Sequence, residues 1–220
     1  MTSRPSPVLA AFRQAIGEAW AAGAGAILPV GFFAGAAMLV PFTVGTNAGQ
    51  LAAIGTGVLW VALALASLVS MERLFQADLE DGTLDLWAQE DAPLFLIAGA
   101  KTMAHWLVSG LPLVLLTPLI GLTLQIPTDR LAPAMLSYGL GGLTFFLWGG
   151  VAGALAASVP RGGLLISLLS LPLFIPTAIF GSLAASGTDA SSLLFLCAST
   201  LFALAVAPFA ASAALRLAVD

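Results

Sequence analysis

The chain has 220 residues, of which 60% are hydrophobic and 8% charged, and its mean hydropathy is +1.04. Soluble domains carry about 25% charged residues, so the composition excludes a water-soluble enzyme and predicts a multi-pass membrane protein. A net charge of −4 without a basic patch gives no nucleic-acid footprint, and a single cysteine, Cys197, excludes an intramolecular disulfide and any multi-cysteine metal site.

In chain order, residues 6–20 come first. Leu9, Phe12, Ile16 and Trp20 recur at helical spacing, with Gln14 and Glu18 turned away, which predicts an amphipathic helix lying in the membrane interface with Trp20 at headgroup depth. The competing reading is a solvated tail. Arg4 and Arg13 precede an apolar run that starts only near Ala19 and then continues too far for a cleavable signal peptide, so the first span is expected to stay in the mature chain.

No charged residue lies between Ala19 and Met71, a stretch too long for one helix of about 20 residues. It breaks at "VPFTVGTNAGQ", whose proline, glycines and asparagine mark a turn. Spans are therefore predicted at 21–43 and 51–70. A third runs from Leu94 or Lys101 to Leu124, taken as 101–124, and stops at "QIPTDR". The remaining spans fall at 132–158, 164–183 and 191–215, separated by "VPRGG" and "AASGTDASS". The expected fold class is an all-α integral membrane protein of six transmembrane helices in a single transmembrane domain.

Lysine and arginine in short loops set orientation. Arg4, Arg13, Arg73, Lys101, Arg161 and Arg216 fall on one side and only Arg130 on the other, so both termini are expected in the cytoplasm.

The stretch "MERLFQADLEDGTLDLWAQED", 71–91, holds eight of the eighteen charged residues. Inserting eight charges would cost on the order of 20 kcal/mol, so residues 72–91 stay outside the bilayer. Leu74, Phe75, Leu79, Leu84, Leu86 and Trp87 interleave with the acids as two amphipathic turns about Gly82, with Asp81 or Thr83 capping the second. A helix of this kind suits docking on a partner; the plainer alternative is a solvated acidic loop that only enforces topology.

The order Glu80, Gly82-Thr83-Leu84, Asp85 and then Lys101 resembles the permeases of ABC-2-type exporters. With "AKTMAHWLVSGLPLVLLTPLIG", "RGGLLISLLSLPLFIPTAIF" and "PFAASAALRLA", it is similar to the haem exporter protein B family of cytochrome c maturation. The chain departs from that family at "AQEDA", 88–92, where the family tends to be apolar and proline-rich.

The resemblance implies a bacterial inner-membrane subunit whose ATPase is a separate polypeptide carrying ATP and magnesium. The chain itself has no GxxxxGK[ST] loop around its only lysine, Lys101. Implied partners are that ABC ATPase, a haem-handling and a small membrane subunit, a periplasmic haem chaperone and the lipid bilayer. Candidate ATPase-docking residues are Arg73, Asp78, Glu80, Asp81, Gly82, Thr83, Leu84 and Asp85. The broader alternatives are an ABC-2 exporter of lipid, drug or polysaccharide, and a non-transporting scaffold.

Among single residues, His105 invites a haem-ligand role, but the resemblance places haem handling on another subunit, and a structural hydrogen bond is expected instead. Lys101 is expected to snorkel or to pair with an acid of the segment such as Glu90 or Asp91. Lys101, His105, Trp106 and Arg161 are candidate subunit or substrate contacts, with a plain positive-inside anchor as the other reading of Arg161. No catalytic residue, metal ligand or bound cofactor is expected in this chain.

Overall fold

The computed structural model describes residues 6–21, 27–71, 74–89, 92–159, 162–187 and 190–219. These form α1 (Pro7–Ala21), α2 (Ile27–Val44), α3 (Ala48–Met71), α4 (Gln76–Glu80), α5 (Thr83–Gln89), α6 (Leu94–His105), a π turn (Trp106–Gly110), α7 (Leu111–Thr123), α8 (Thr128–Ala156), α9 (Gly163–Ala185) and α10 (Ala190–Val219). Taking α6, the π turn and α7 as one helix, six are long and apolar enough to cross a membrane. The third begins at Leu94, so Lys101 lies about two turns inside it rather than at its mouth.

Helix ends follow local chemistry. Gly45, at φ +90°, turns the chain out of α2, and Asn47 Oδ1 accepts the Gln50 N–H at 3.1 Å to cap α3. At the end of α7 the Ile126 N–H reaches the Gly121 carbonyl at 2.9 Å and the Gln125 N–H reaches Leu122 at 3.1 Å. That closes a Schellman motif, with Gln125 in the left-handed region that glycine usually occupies.

The core is built around α8, which α3, α7, α9 and α10 pack against. Its glycines admit neighbouring helices. A Cβ at Gly149 would stand 2.7 Å from Met71 Cγ, and one at Gly150 only 2.8 Å from Thr102 Oγ1. The Trp60 indole of α3 fills the space over Gly141 of α8 and Gly181 of α9, where any side chain would overlap the ring. The pair Gly149 and Gly153 thus serves contact within the chain, whereas Gly31 and Gly35 on α2 meet nothing within 4 Å.

Polar ties hold the same helices together. Thr144 donates to Thr200 at 2.9 Å, Ser137 to the Gly181 carbonyl at 2.7 Å and Tyr138 to the Thr56 carbonyl at 3.0 Å. Away from water such bonds are worth about 1 kcal/mol each. Pro172 and Pro176 lie inside α9, which runs on through both.

The N-terminal helix packs on α6 through small residues, Ala11, Ala15 and Ala19. The large stripe expected to seat it faces outward: Leu9 and Trp20 are exposed, Phe12 and Ile16 half-buried. The two stripes are offset by one residue, which is about 100° round a helix. That rotation leaves Glu18 at the exposed edge of the alanine face, within reach of α6.

Candidate functional site

Both short helices form at one end of the bundle, between the second and third spans. Gly82, at φ +78°, makes the left-handed turn between them, a conformation that L side chains rarely adopt. Asp81 Oδ1 accepts the Thr83 N–H at 2.9 Å and so starts α5, while Gln76 Nε2 donates to Glu80 Oε1 at 2.8 Å along α4. Hydrogen bonding from Thr83 holds the Asp81 carboxyl below its usual range. The two turns around Gly82 expected from the sequence are therefore present, with Asp81 supplying the cap.

The two faces of this helix pair differ. Leu74, Phe75, Asp78, Leu84 and Trp87 point inward, with α4 against α8 and α5 against α6 and α10. Glu80, Asp81, Asp85 and Leu86 point outward, and Leu86 is 65% exposed. Among the expected docking residues, Glu80, Asp81 and Asp85 thus offer an acidic surface around one exposed leucine, with Gly82 and Thr83 half-buried between them. Asp78 and Leu84, expected among the contacts, are fully buried; they attach the pair to the bundle. Arg73 and Arg161 lie outside the described residues.

The attachment centres on Lys101, which is fully buried. Its ammonium donates to Asp78 Oδ2 of α4 and, at 3.3 Å, to Glu18 Oε2 of α1. It also stands 4.7 Å from the centre of the Trp87 ring of α5, within cation–π range. The lysine is buried rather than snorkelling; Glu90 and Asp91, the acids expected to pair with it, lie outside the described residues. From two turns inside α6 its stem meets α4, and a buried ammonium requires a nearby counter-charge.

Two carboxylates share this one cation, and the second oxygen of Asp78, Oδ1, has no hydrogen-bond partner among the described residues. Burial pushes the Asp78 carboxyl up to about 6, against the opposing pull of Lys101.

One turn further along α6, His105 lies 2.8 Å by Nε2 from the Ser70 carbonyl and 5.9 Å, ring to ring, from Phe146. A carbonyl only accepts, so Nε2 carries the proton and, in the neutral ring, Nδ1 holds the lone pair. Trp106 then opens the π turn, in which the Leu111 N–H reaches back to the Trp106 carbonyl. Pro112 follows immediately and cannot donate to the preceding turn, so the wide turn sits where α-helical bonding is interrupted. Gly110 is required there: a Cβ would stand 2.6 Å from Trp106 Cδ1 and 2.9 Å from Phe146. Among the described residues no three His, Cys, Asp or Glu side chains gather as metal ligands.

Sequence reasoning missed Glu18 and Trp87 as parts of this cluster. The available signal was isolation: Glu18 is the only acid before residue 72, and Lys101 the only lysine.

The family model described as "CcmB protein" matches residues 7–218. The chain belongs to the CcmB family. Proteins called "Heme exporter protein B" are similar along most of their length. That of Paracoccus denitrificans is 46% identical over 200 residues, covering 89% of this chain and 92% of the relative. That of Bradyrhizobium diazoefficiens is 42% identical over 220 residues, 96% and 98% respectively. The Escherichia coli K12 relative is 37% identical over 200 residues, 87% and 90%. Within the CcmB family, then, this chain is an all-helical, multi-pass membrane protein with a charged helix pair at one end of its bundle.

Proposed function

We propose that this chain is the permease subunit of an ABC-type haem exporter, with α4 and α5 as the helices on which a separate ATPase subunit docks. The observation that carries the reading is the two-faced helix pair: a buried face fastened to Lys101, and an outward acidic face around Leu86. A groove with a basic rim and an apolar floor is its complement, and an ATP-driven change in such a partner is delivered to the membrane helices through α4 and α5. The names of the relatives support haem as the substrate.

In this reading α4 and α5, with both termini, lie on the cytoplasmic side of the bacterial inner membrane, an orientation that the lysine and arginine bias of the loops supports. In this reading α1 lies along the membrane surface, its large apolar side chains toward lipid and its alanines on α6. Haem moves toward a periplasmic chaperone for cytochrome c assembly with the help of the complex's other membrane subunits. ATP and magnesium are held by the ATPase, and the chain does no chemistry of its own.

The test uses the whole complex in membranes, with its ATPase made catalytically inactive but still bound. Loading of the periplasmic haem acceptor is expected to stop, measured by haem absorbance of the recovered acceptor. Undiminished loading would make the chain a scaffold, and transport of lipid or drug by this chain and its ATPase alone would make it a general exporter.

A further inference from the structure

We propose that Lys101 is the positioning residue that carries motion of α4 and α5 into the third span and the N-terminal helix, a role that rests on docking of the ATPase at α4 and α5.

Three features of the structure argue for it. First, one ammonium joins groups from four elements: Asp78 of α4, Trp87 of α5, Glu18 of α1 and its own backbone on α6. Second, the Lys101–Asp78 pair is buried, so water does not readily replace that bond, and separating those two charges costs far more than at a surface. A pull on α4 therefore moves α6 before it breaks the pair. Third, two acids serve one lysine, and Asp78 Oδ1 has no hydrogen-bond partner among the described residues. If α4 shifts, Lys101 retains Glu18 as a partner, and if α1 shifts it retains Asp78, so the ammonium has a counter-charge in both positions.

The third span also has a place to absorb the movement. Just beyond Lys101 and His105 the helix widens into the π turn at Trp106–Gly110, followed by Pro112, so α6 is hydrogen-bonded to α7 through its weakest turn. Gly110 keeps that turn in contact with Phe146 of α8. Displacement of Lys101 is thus expected to tilt α6 against α7 rather than move the span as one rod.

The experiment uses the complete complex reconstituted in vesicles, and it reads haem delivered to the periplasmic acceptor per ATP hydrolysed. The double variant Asp78→Asn/Lys101→Met removes both buried charges together and so leaves neither unpaired. The ATPase is expected to stay bound and to hydrolyse ATP, while the delivered-to-hydrolysed ratio falls about tenfold or more. Loss of folding or assembly alone lowers both quantities together and leaves the ratio unchanged.

With the ATPase bound and hydrolysing ATP at a rate comparable to wild type, a ratio within about twofold of wild type would overturn the proposal. So would loss of the ATPase from this double variant, because the cluster would then act in docking rather than transmission. Failure of the docking reading shows separately, as ATPase retained when Glu80 and Asp81 are reversed. A second variant, Glu18→Gln, lies at a partly exposed carboxylate the fold tolerates. It is expected to lower the ratio about threefold, and an unchanged ratio there would reduce α1 to an anchor and overturn the transmission to it.

Discussion

Reversing two charges together, Glu80→Lys with Asp81→Lys, is expected to release the ATPase from the solubilised complex while leaving this chain folded in the membrane. Both side chains are exposed, and among the described residues neither forms an ion pair with a basic group. Their loss therefore removes no interhelical contact. Against a basic groove, two lysines turn attraction into repulsion, and like charges forced together across an interface cost several kcal/mol. One contribution is local: Asp81→Lys deletes the cap on Thr83, worth about 1 kcal/mol. The control is Asp81→Asn, which keeps the capping oxygen and changes only the charge, and is expected to weaken binding in smaller measure. The readout is the amount of ATPase co-purified with a tagged copy of this chain. Retention of the ATPase at wild-type level with both charges reversed would remove α4 and α5 as the docking site.

A second large effect is expected inside the bundle, and its sign depends on whether one charge or two is removed. Lys101→Met leaves Asp78 in a buried site with its main counter-charge gone; breaking such a pair costs about 3–5 kcal/mol. Asp78→Asn/Lys101→Met removes the pair as a unit and is expected to recover most of that loss. Thermal unfolding midpoints of the purified chain check both statements, and a single variant as stable as wild type would contradict them.

The pH dependence has a definite sign. Burial raises the Asp78 carboxyl to about 6 with Lys101 in place, and without the ammonium it rises further. A carboxyl whose pKa is raised in the folded state destabilises that state at high pH, and the effect disappears as the group protonates. The single variant should therefore regain stability as pH falls toward and below about 6.

The six spans were legible because a charge-free run of the right length has few alternatives in a chain this apolar. The acidic pair of turns was legible for the opposite reason, since "DGT" joins a left-handed glycine to a capping acid. Less visible were the partners of Lys101. Hydropathy says that a lysine near a helix end reaches water, and only the start of α6 at Leu94 shows that this one lies two turns in. Asp78 looked like its acidic neighbours because local sequence does not reveal which side of a five-residue helix faces the bundle.

Alanines were overlooked in α1 for a related reason. Large apolar side chains dominate a helical pattern, yet in a membrane they can face lipid while small ones make the close helix contact. The glycines of α8 follow the same logic, and Trp60, Met71 and Thr102 identify what each one admits.

The central claim, that the ATPase engages the outward face of α5, is tested most directly by a cross-link from Leu86. In a Cys197→Ser background, Leu86→Cys carries the only thiol, on a side chain 65% exposed beside Asp85. A short thiol-to-amine reagent applied to native membranes should join this chain to the ATPase at Leu86→Cys and not at Leu119→Cys, which is exposed on α7. Capture of the ATPase from Val159→Cys, in the turn before α9, with none from Leu86→Cys would place the motor elsewhere and contradict the account.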